Sequence, residues 1–509
     1  MTRVGLSLLL FLAILWSSCR KDFDFEVSNG QLEFSRDTVF LDTVFTGISS
    51  STYSLKVYNP TDDDLSIPFV GLADGGSSGY RLNVDGESGK IFSDVPILAR
   101  DSLYVFIETT LDINSLNQNE FLYTDAIRFG TGNSIQEVQL VTLIRDAVFL
   151  YPSTQADGTR ETLSLGTNPD GTEVVVQGFF LQNDELNFTN EKPYVIYGYA
   201  AVANGQTLAM APGTRVHFHK DSGIWVGPGA SLQINGSLST DRDLLENEVI
   251  LEGDRLEPEF SEVPGQWGTL WLAAGSTNNA FNYLTLKNAT VGILAEGNPG
   301  AVPPTLLLAN CQVYNSSLVN LWGRNSSIYG ENLVLGNAGN ASFYGNLGGD
   351  YEFLHSTFAN YWSNGFRTGS AIQLNNFEES INLPSQAADL TQAYFGNCII
   401  SGNTSTELFL NSNGENLFNF NFEHCLIKFE QPSADPLYDF GNTANYTNIL
   451  LNGDASFLDL VEQDFRISEN SDAIGNGKPE AAQRVPFDLL GTDRTTLPDI
   501  GAFQYVPQE

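Results

Sequence analysis

Basic residues are scarce in this chain. It contains 24 Lys and Arg against 61 Asp and Glu over 509 residues, which gives a formal net charge of −37 at pH 7. A surface this acidic repels nucleic acid, phospholipid headgroups and polyanionic polysaccharides. The composition therefore excludes nucleic-acid binding. It establishes no cofactor, although it is compatible with Ca²⁺.

Cysteine is rare as well. Beyond Cys19 near the N terminus, the chain has Cys311, Cys398 and Cys425. Three residues are too few for the disulfide framework of a small secreted domain. The last two are 27 positions apart. Two interpretations remain open for them, a disulfide formed in an oxidising compartment or two free thiols buried at equivalent positions.

Long apolar runs are limited to residues 4–16, which follow the positive charge of Arg3. This run is too short to anchor a chain in a bilayer and is typical of a cleaved secretory signal. The two serines before Cys19 resemble the cleavage site of lipoprotein signals. The resemblance implies a signal peptide over residues 1–18 and acylation of Cys19 as a membrane anchor. The alternative is an ordinary signal peptide followed by a core cysteine.

We interpret residues 19–30 as an acidic tether. Lys21 is followed by Asp22, Asp24 and Glu26, an order that resembles the surface-export signal of some Gram-negative lipoproteins. The resemblance implies a protein anchored in the outer membrane and facing the exterior. The alternative is a solvated charged linker without a sorting role.

Residues 31–146 show period-two alternation and turn sequences, which predict a domain of short strands. Seven strands over this length are typical of an immunoglobulin-like β-sandwich. The predicted strands are 38–45, 52–58, 65–70, 80–84, 102–109, 125–129 and 135–143. The order of Val-Phe-Thr-Gly, SLKVYNPTDDDLSI and DAIRF resembles the bacterial abnormal-spindle/hydin type of sandwich. The acidic turn 62–64 predicts either a calcium site or a solvated loop.

Residues 208–236 predict the architecture of the remaining chain. Short strands with alternating apolar residues follow one another, separated by brief turns that contain Gly, Pro or Asp-Ser-Gly. These are not two-residue hairpin turns, and no helix connects the strands, so each strand must stack in parallel on its counterpart one coil later. We predict a β-solenoid over residues 207–509, with residues 147–206 as a linker and N-terminal cap.

Two further sets of residues resemble known repeat families. Residues 265–297 resemble one coil of a right-handed parallel β-helix, the pectate-lyase-like solenoid. The matching residues are Trp267, Gly268, Leu270, Asn279, Tyr283, Leu284, Leu286, Gly292 and Ile293. The resemblance implies an all-β chain in which a right-handed parallel β-helix follows the immunoglobulin-like sandwich.

Residues 435–503 resemble the closing segment of secreted β-helix repeat proteins. The matching residues are Asp435, Pro436, Phe465, Ile467, Ser471, Ala473, Ile474, Gly477, Asp488, Gly491, Arg494, Asp499, Ile500, Gly501, Ala502 and Phe503. The resemblance implies that this segment ends the stack. We expect Asp488 and Asp499 to accept hydrogen bonds from turn amides and to pair with Arg494, closing the last open edge.

The resemblance also raises the question of catalysis. Parallel β-helices often act on acidic polysaccharides, by calcium-assisted elimination or by hydrolysis between paired carboxylates. The N-T-D, D-D, G-H-G and R-I-K motifs of polygalacturonase-type hydrolases do not occur in residues 207–507. The compact candidates for a lyase are Asp254 and Arg255, together with Lys220.

A metal site is a separate hypothesis. His217 and His219 are two apart in a predicted strand, so both face the same way and could share a metal ion. Alternatively, alternation with Val216 and Phe218 places both histidines on the solvent face without a ligand.

Residues 314–361 are rich in Asn, Gly and aromatic residues. On an outer face they would suit neutral sugars, and inside the coils they would form structural ladders. The sequence therefore favours a non-catalytic surface component that binds glycan or an outer-membrane protein. The alternative is a polysaccharide lyase or glycoside hydrolase acting on extracellular polysaccharide. A groove with three or more carboxylates and an Arg or Lys would favour the enzyme, and a face of aromatics and amides would favour binding.

Overall fold

The structure is a computed structural model that describes residues 25–111, 120–167, 172–380 and 383–507. The predicted signal peptide and Cys19 lie outside these residues. The chain divides into two compact units, residues 1–146 and 147–509. Within the described ranges, no helix is long and apolar enough to cross a membrane.

The described residues of the first unit include eleven strands. They are β1 (Glu26–Val27), β2 (Glu33–Phe34), β3 (Thr38–Phe45), β4 (Tyr53–Tyr58), β5 (Leu65–Leu72), β6 (Tyr80–Val84), β7 (Glu87–Gly89), β8 (Ile91–Ile97), β9 (Ser102–Thr109), β10 (Glu120–Phe129) and β11 (Gln136–Arg145). Several of these strands, such as β6 and β9, alternate between buried and exposed side chains. One sheet has the order β1-β5-β10-β11-β3 with β8 also on β5, and the other has the order β2-β4-β9-β6-β7.

The core of this unit lies between its two sheets. In β9, Leu103, Val105 and Ile107 are buried while Tyr104 and Phe106 are exposed, as the period of two requires. In the acidic turn, Asp62 is paired with Arg100 at 2.8 Å. That pairing lowers the pKa of Asp62, through its hydrogen bond and charge, so this carboxylate is already matched by a cation.

The second unit begins with the strands β12 (Val148–Leu150), β13 (Thr162–Thr167), β14 (Glu173–Phe180), β15 (Asn187–Phe188), β16 (Tyr194–Ile196), β17 (Tyr199–Val202), β18 (Thr207–Met210), β19 (Arg215–Phe218), β20 (Gly223–Val226), β21 (Ser231–Asn235), β22 (Val249–Gly253), β23 (Trp267–Leu272), β24 (Asn279–Asn282), β25 (Leu284–Lys287), β26 (Ala289–Glu296), β27 (Leu306–Ala309), β28 (Gln312–Ser316), β29 (Val319–Arg324) and β30 (Ser327–Glu331).

It continues with β31 (Val334–Ala338), β32 (Ala341–Asn346), β33 (Gly349–Leu354), β34 (Thr357–Asn360), β35 (Ile372–Asn375), β36 (Phe377–Ser380), β37 (Leu383–Ala387), β38 (Leu390–Gly396), β39 (Ile399–Gly402), β40 (Leu408–Asn411), β41 (Asn421–Glu423), β42 (Leu426–Ile427), β43 (Tyr446–Thr447), β44 (Leu450–Leu451), β45 (Phe457–Asp459) and β46 (Asp464–Ile467), followed by the helix α1 (Pro479–Arg484).

Three long sheets run along this unit. Sheet 1 has the order β12-β16-β19-β22-β25-β28-β31-β34-β39-β42-β44, sheet 2 the order β13-β14-β17-β20-β23-β26-β29-β32-β35-β40, and sheet 3 the order β15-β18-β21-β24-β27-β30-β33-β38-β41-β43. Apart from β13 with β14, the pairings in these sheets are parallel, for example β19 with β22 and β20 with β23. The predicted fold class, all-β with a sandwich followed by a parallel β-helix, is confirmed.

The stack begins before the residue that the sequence pattern indicated. β12 already pairs in parallel with β16, and β14 pairs with β17, so residues from 148 onwards supply strands to the sheets rather than only a cap. Strands of three or four residues, such as Tyr194–Ile196, are too short for a period of two to be visible in the sequence.

From β24 to β44, a single residue in the left-handed region forms the corner from sheet 3 to sheet 1 in each coil, whereas loops connect these sheets in the earlier coils. These corner residues are Tyr283, Asn310, Asn332, His355, Asn397, His424 and Asn448, with φ between 45° and 55°. Asparagine tolerates this conformation better than most residues. The residue after the corner points inward, and Cys311, Cys398 and Cys425 are buried there as free thiols. The repeated Asn-Cys and His-Cys pairs therefore mark corners.

The C-terminal segment, residues 452–507, does not end the stack. It folds back over the outer face of sheet 1, where Phe465, Leu489 and Phe503 pack on Val334 and Ala359. Hydrogen bonds fix the path, since the amide of Ala502 donates to Thr357 Oγ1 at 3.1 Å and Asn332 Nδ2 donates to the carbonyl of Phe487 at 2.9 Å. The expectation that this segment closes the last open edge was therefore wrong.

Candidate functional site

Asp488 and Asp499 organise turns inside the C-terminal segment. Asp488 Oδ1 accepts from the amides of Leu490 and Thr492, and Asp499 accepts from those of Gly475 and Tyr505. Burial raises the pKa of Asp499, against the effect of these hydrogen bonds. Both carboxylates therefore hold the chain that covers sheet 1.

Arg494 does not form the ion pair expected from the sequence. Among the described residues, its guanidinium instead donates to the carbonyls of Gly501 and Ala502, at 3.0 and 3.1 Å, and to Asn332 Oδ1 at 3.0 Å. Burial lowers the pKa of Arg494 to about 10. The side chain thus ties the C-terminal segment to a corner of the β-helix, because its planar fork reaches several acceptors at once.

The two candidate metal ligands are not equivalent. His217 is only 4% exposed, with Nδ1 at 3.3 Å from the carbonyl oxygen of Gly253 and 3.8 Å from Glu252 Oε1. His217 lies on the outward face of β19, as alternation predicts, but the expectation that solvent surrounds it was wrong, because Gly253 and Glu252 of the next coil cover it. His219 lies beyond the end of β19 and contacts Asp254 Oδ2 at 2.7 Å. That hydrogen bond raises the pKa of His219.

The candidate catalytic residues do not converge either. Asp254 contacts His219, whereas the guanidinium of Arg255 lies 3.3 Å from Glu257 and 3.9 Å from the ring centroid of Phe260. Lys220 is exposed in the turn after β19. No group of three or more His, Cys, Asp or Glu residues that could hold a metal ion occurs in the described part of the chain.

A different group of charged residues lines a cleft of about 490 Å³ over sheet 1. Its floor is formed by outward side chains of β22, β25 and β28, and its rim by the 238–248 loop and the C-terminal segment. The charged lining residues are Asp243, Glu248, Glu262, Glu462, Asp464, Arg242, Lys287 and Arg466. Their positions in the sequence are too far apart to form a motif, so no local pattern predicts this cleft.

A chain of hydrogen bonds crosses three coils on the cleft floor and ends at Glu248. Tyr314 Oη donates to Gln312 Oε1 at 2.7 Å, Gln312 Nε2 donates to Thr285 Oγ1 at 3.4 Å, and Thr285 Oγ1 donates to Glu248 Oε2 at 2.8 Å. Glu248 is 5% exposed, and its burial raises the pKa of the carboxyl, against the hydrogen bond from Thr285 and the charge of Arg215. Glu248 therefore keeps its proton to a higher pH than an exposed glutamate does.

The outer face of sheet 2 carries a row of bulky side chains, one per coil, which we call the ladder. Strand pairing aligns Trp225 with Trp271, Trp271 with Leu294, and so on along the sheet. The ladder consists of Trp225, Trp271, Leu294, Trp322, Tyr344, Gln373 and Phe409. All are partly or fully exposed, whereas both chain neighbours of each are buried. The ladder is therefore a continuous row of outward side chains along the sheet.

Polar side chains flank the ladder on one side. Trp271 Nε1 donates to Glu296 Oε2 at 2.7 Å, and Arg324 lies 3.7 Å from Glu296 and 2.8 Å from Glu378. Further along, Asn346 and Asn375 donate to Tyr344 Oη at 3.1 and 2.9 Å. The rings of Trp322 and Tyr344 are 5.5 Å apart between centroids. Aromatic faces beside amides are suited to carbohydrate.

The aromatic residues of the stretch 314–361 lie in both of the predicted locations, the interior of the coils and the outer face. Phe343, Tyr351, Phe353 and Phe358 are fully buried in the interior, where they stack edge to face. Trp322 and Tyr344 belong to the ladder. Trp225 and Trp271 were not among the residues predicted to bind a ligand. Each stands between two apolar residues, and alternation alone assigns such a residue to the opposite face of the strand.

Comparisons with known proteins give little further information. No known family matches the chain, and no curated protein matches it. Solved structures that resemble part of it include a PapD-like domain of human CEP192 (11% identity, 23% of this chain and 86% of that one, TM-score 0.16) and a family 123 glycoside hydrolase from Clostridium perfringens (8%, 23% and 26%, 0.16). The periplasmic chaperone SfaE is similar at 13% identity over 23% of this chain and 57% of its own, with a TM-score of 0.15. At these TM-scores the likenesses carry no argument.

Proposed function

We propose that the protein is a surface-exposed lipoprotein of the outer membrane that binds glycan on the ladder of sheet 2. Cys19 is the lipid-bearing residue and the sandwich is a spacer. The tether is shorter than the predicted residues 19–30, because β1 (Glu26–Val27) already pairs with β5 in the sandwich. The ladder is the observation that carries the proposal, because it matches the face of aromatics and amides that favours binding over catalysis. Apolar side chains left partly exposed in a continuous row mark interaction sites.

Stacking of sugar rings on the ladder would supply the affinity, and the flanking polar groups would supply the selectivity. Indole and phenol rings offer flat apolar faces to sugar rings, and they lose little entropy because only two torsions are fixed. Asn375 accepts a hydrogen bond from Asn346, which is itself buried, and Glu296 pairs with Arg324. Asn375 and the Glu296–Arg324 pair can therefore contact sugar hydroxyls without first having to be ordered.

The direct test is a glycan array with the full-length protein, followed by calorimetric titration of the glycans that bind. We expect binding of neutral polysaccharide and no release of products. Trp322→Ala should weaken binding by about tenfold, and Phe366→Ala, a fully exposed aromatic outside the ladder at 103%, should leave it unchanged. Binding unaffected by Trp322→Ala would refute the ladder as the site, and a lack of any glycan would instead favour an outer-membrane protein partner.

A second candidate function is polysaccharide cleavage in the cleft over sheet 1. The cleft satisfies the other criterion, since it has five carboxylates together with Arg and Lys. A buried glutamate with a raised pKa, such as Glu248, suits the role of general acid, with a second carboxylate of the lining as its partner. Lys287, held near Glu252 at 3.7 Å, would be the cation of a lyase. Ca²⁺ would bind to the carboxylates in that case.

An assay for reducing and unsaturated ends, run with and without calcium, tests this second function. An enzyme would release such ends, and Glu248→Gln would abolish the release while leaving binding to the ladder intact. Activity that survives Glu248→Gln would exclude the proposed acid. Asp254→Asn serves as a control, because Asp254 does not line the cleft.

A further inference from the structure

We infer that the ligand of the ladder is an extended, neutral polysaccharide that lies along the axis of the β-helix, across the strands, with one sugar unit on each coil. This inference rests on the proposed function and adds the direction, conformation and charge of the ligand. It follows from three features of sheet 2, namely the register of its strands, the pairing of its charges and the hydrogen bonds at Tyr344.

The register of sheet 2 sets the direction. Trp225 pairs directly with Trp271, and Trp322 with Tyr344, so the row runs perpendicular to the strands and parallel to the axis. Neighbouring strands are about 4.8 Å apart, which is close to the length of one pyranose unit in an extended chain. A ligand that followed a single strand would instead meet only one ladder residue, because alternate residues of that strand point inward.

The charges beside the ladder indicate a neutral ligand. Arg324 is a cation next to the row, and it is held between Glu296 at 3.7 Å and Glu378 at 2.8 Å. Two carboxylates around one guanidinium leave no positive charge for a uronate or a sulfate ester. The net charge of the chain, −37, opposes anionic glycans further.

Tyr344 supplies a directed donor in the middle of the row. Its Oη accepts hydrogen bonds from Asn346 and Asn375 at 3.1 and 2.9 Å. With both acceptor positions filled by amides, the hydroxyl hydrogen is left to point at a ligand. A sugar ring on Trp322, whose centroid is 5.5 Å from that of Tyr344, would place a hydroxyl or ring oxygen within its reach.

The experiment is calorimetric titration of the full-length protein with two series of oligosaccharides. One series, cellotriose to cellohexaose, has an extended backbone, and the other, maltotriose to maltohexaose, has a curled one. We expect the affinity for the extended series to increase by about tenfold from trisaccharide to hexasaccharide, as successive rings reach further ladder residues. The curled series should bind weakly and without dependence on length.

Single substitutions then test the direction. Trp271→Ala and Trp322→Ala, two coils apart, should each reduce the affinity for cellohexaose by about tenfold, and Trp322→Phe should restore most of it. Tyr104→Ala, an exposed aromatic in the sandwich at 48%, is the control. Loss with only one of the two tryptophans would show that the chain does not follow the axis.

Each outcome separates the inference from the function on which it rests. Binding that is independent of chain length, or equal for both series, or stronger for uronate oligomers, would overturn the inference and leave glycan binding standing. If no glycan on the array binds, the proposed function fails and the inference fails with it.

Discussion

The outer faces of sheets 1 and 2 belong to the same coils and both carry apolar side chains, but the chain covers one face and leaves the other open. On sheet 1, Val334 and Ile399 are covered by the C-terminal segment and are at most 1% exposed. On sheet 2, the ladder residues remain partly exposed. An apolar face that the chain covers itself contributes to stability, and one that it leaves open is available for recognition.

The comparison predicts that equivalent truncations on the two faces have different effects. Phe465→Ala, at a ring 1% exposed between the C-terminal segment and sheet 1, should lower the free energy of unfolding by about 3–5 kcal/mol. Trp322→Ala on the open face should cost much less stability and should reduce glycan binding instead. Urea unfolding of both variants measures the difference, and equal losses of stability would break the comparison.

A smaller loss of unfolding free energy is expected at Arg494, a polar residue that holds the C-terminal segment on sheet 1. Arg494→Lys should reduce the unfolding free energy by about 2 kcal/mol, because an ammonium group cannot reach the carbonyls of Gly501 and Ala502 and the amide of Asn332 together. The matched control is Arg466→Lys, whose guanidinium pairs with Asp464 while 44% of its side chain is exposed. Similar stability for both variants would mean that Arg494 does not fix the segment.

The smallest expected effect on stability is at the cleft, the part of sheet 1 that the C-terminal segment leaves open. Burial raises the pKa of Glu248, so above its unfolded value the folded state binds more protons than the unfolded state. The stability contributed by this group is full below about pH 4.3 and is lost as the pH rises through the folded pKa. Glu248→Gln should therefore gain stability relative to the wild type between about pH 4 and pH 7. A constant difference across that range would contradict the raised pKa.

Local patterns in the sequence were sufficient for the fold but not for the site. The alternation in Leu208–Met210 and Gly223–Val226, with short turns between, predicts stacked parallel strands because both the period and the turn length are local properties. The cleft joins Glu248, Thr285 and Asp464, which only the stacking of coils and the fold-back of the C-terminal segment bring together. That fold-back depends on packing between distant residues.

Individual residues show the same limit. The ladder was partly predictable, since Trp225 stands between Ile224 and Val226 in an alternating strand. Its alignment with Trp271 was not, because the register between the two strands depends on how the residues between them fold. His217 was assigned to the surface from alternation, which is correct for the face of the strand. Its burial comes from Glu252 and Gly253 on the next coil, which no local pattern records.

The single-residue corners make a whole coil the smallest unit by which this domain can change in length. Deleting one coil would remove one strand from each sheet and one rung from the ladder, so the reach of the molecule and the number of its ligand contacts would change together. The C-terminal segment limits where this can happen, because it is bonded to the corners at Asn332, Asn397 and His424. The C-terminal segment therefore fixes the number of coils in the C-terminal half of the β-helix. Coils before that half could be duplicated or lost during evolution without breaking these hydrogen bonds.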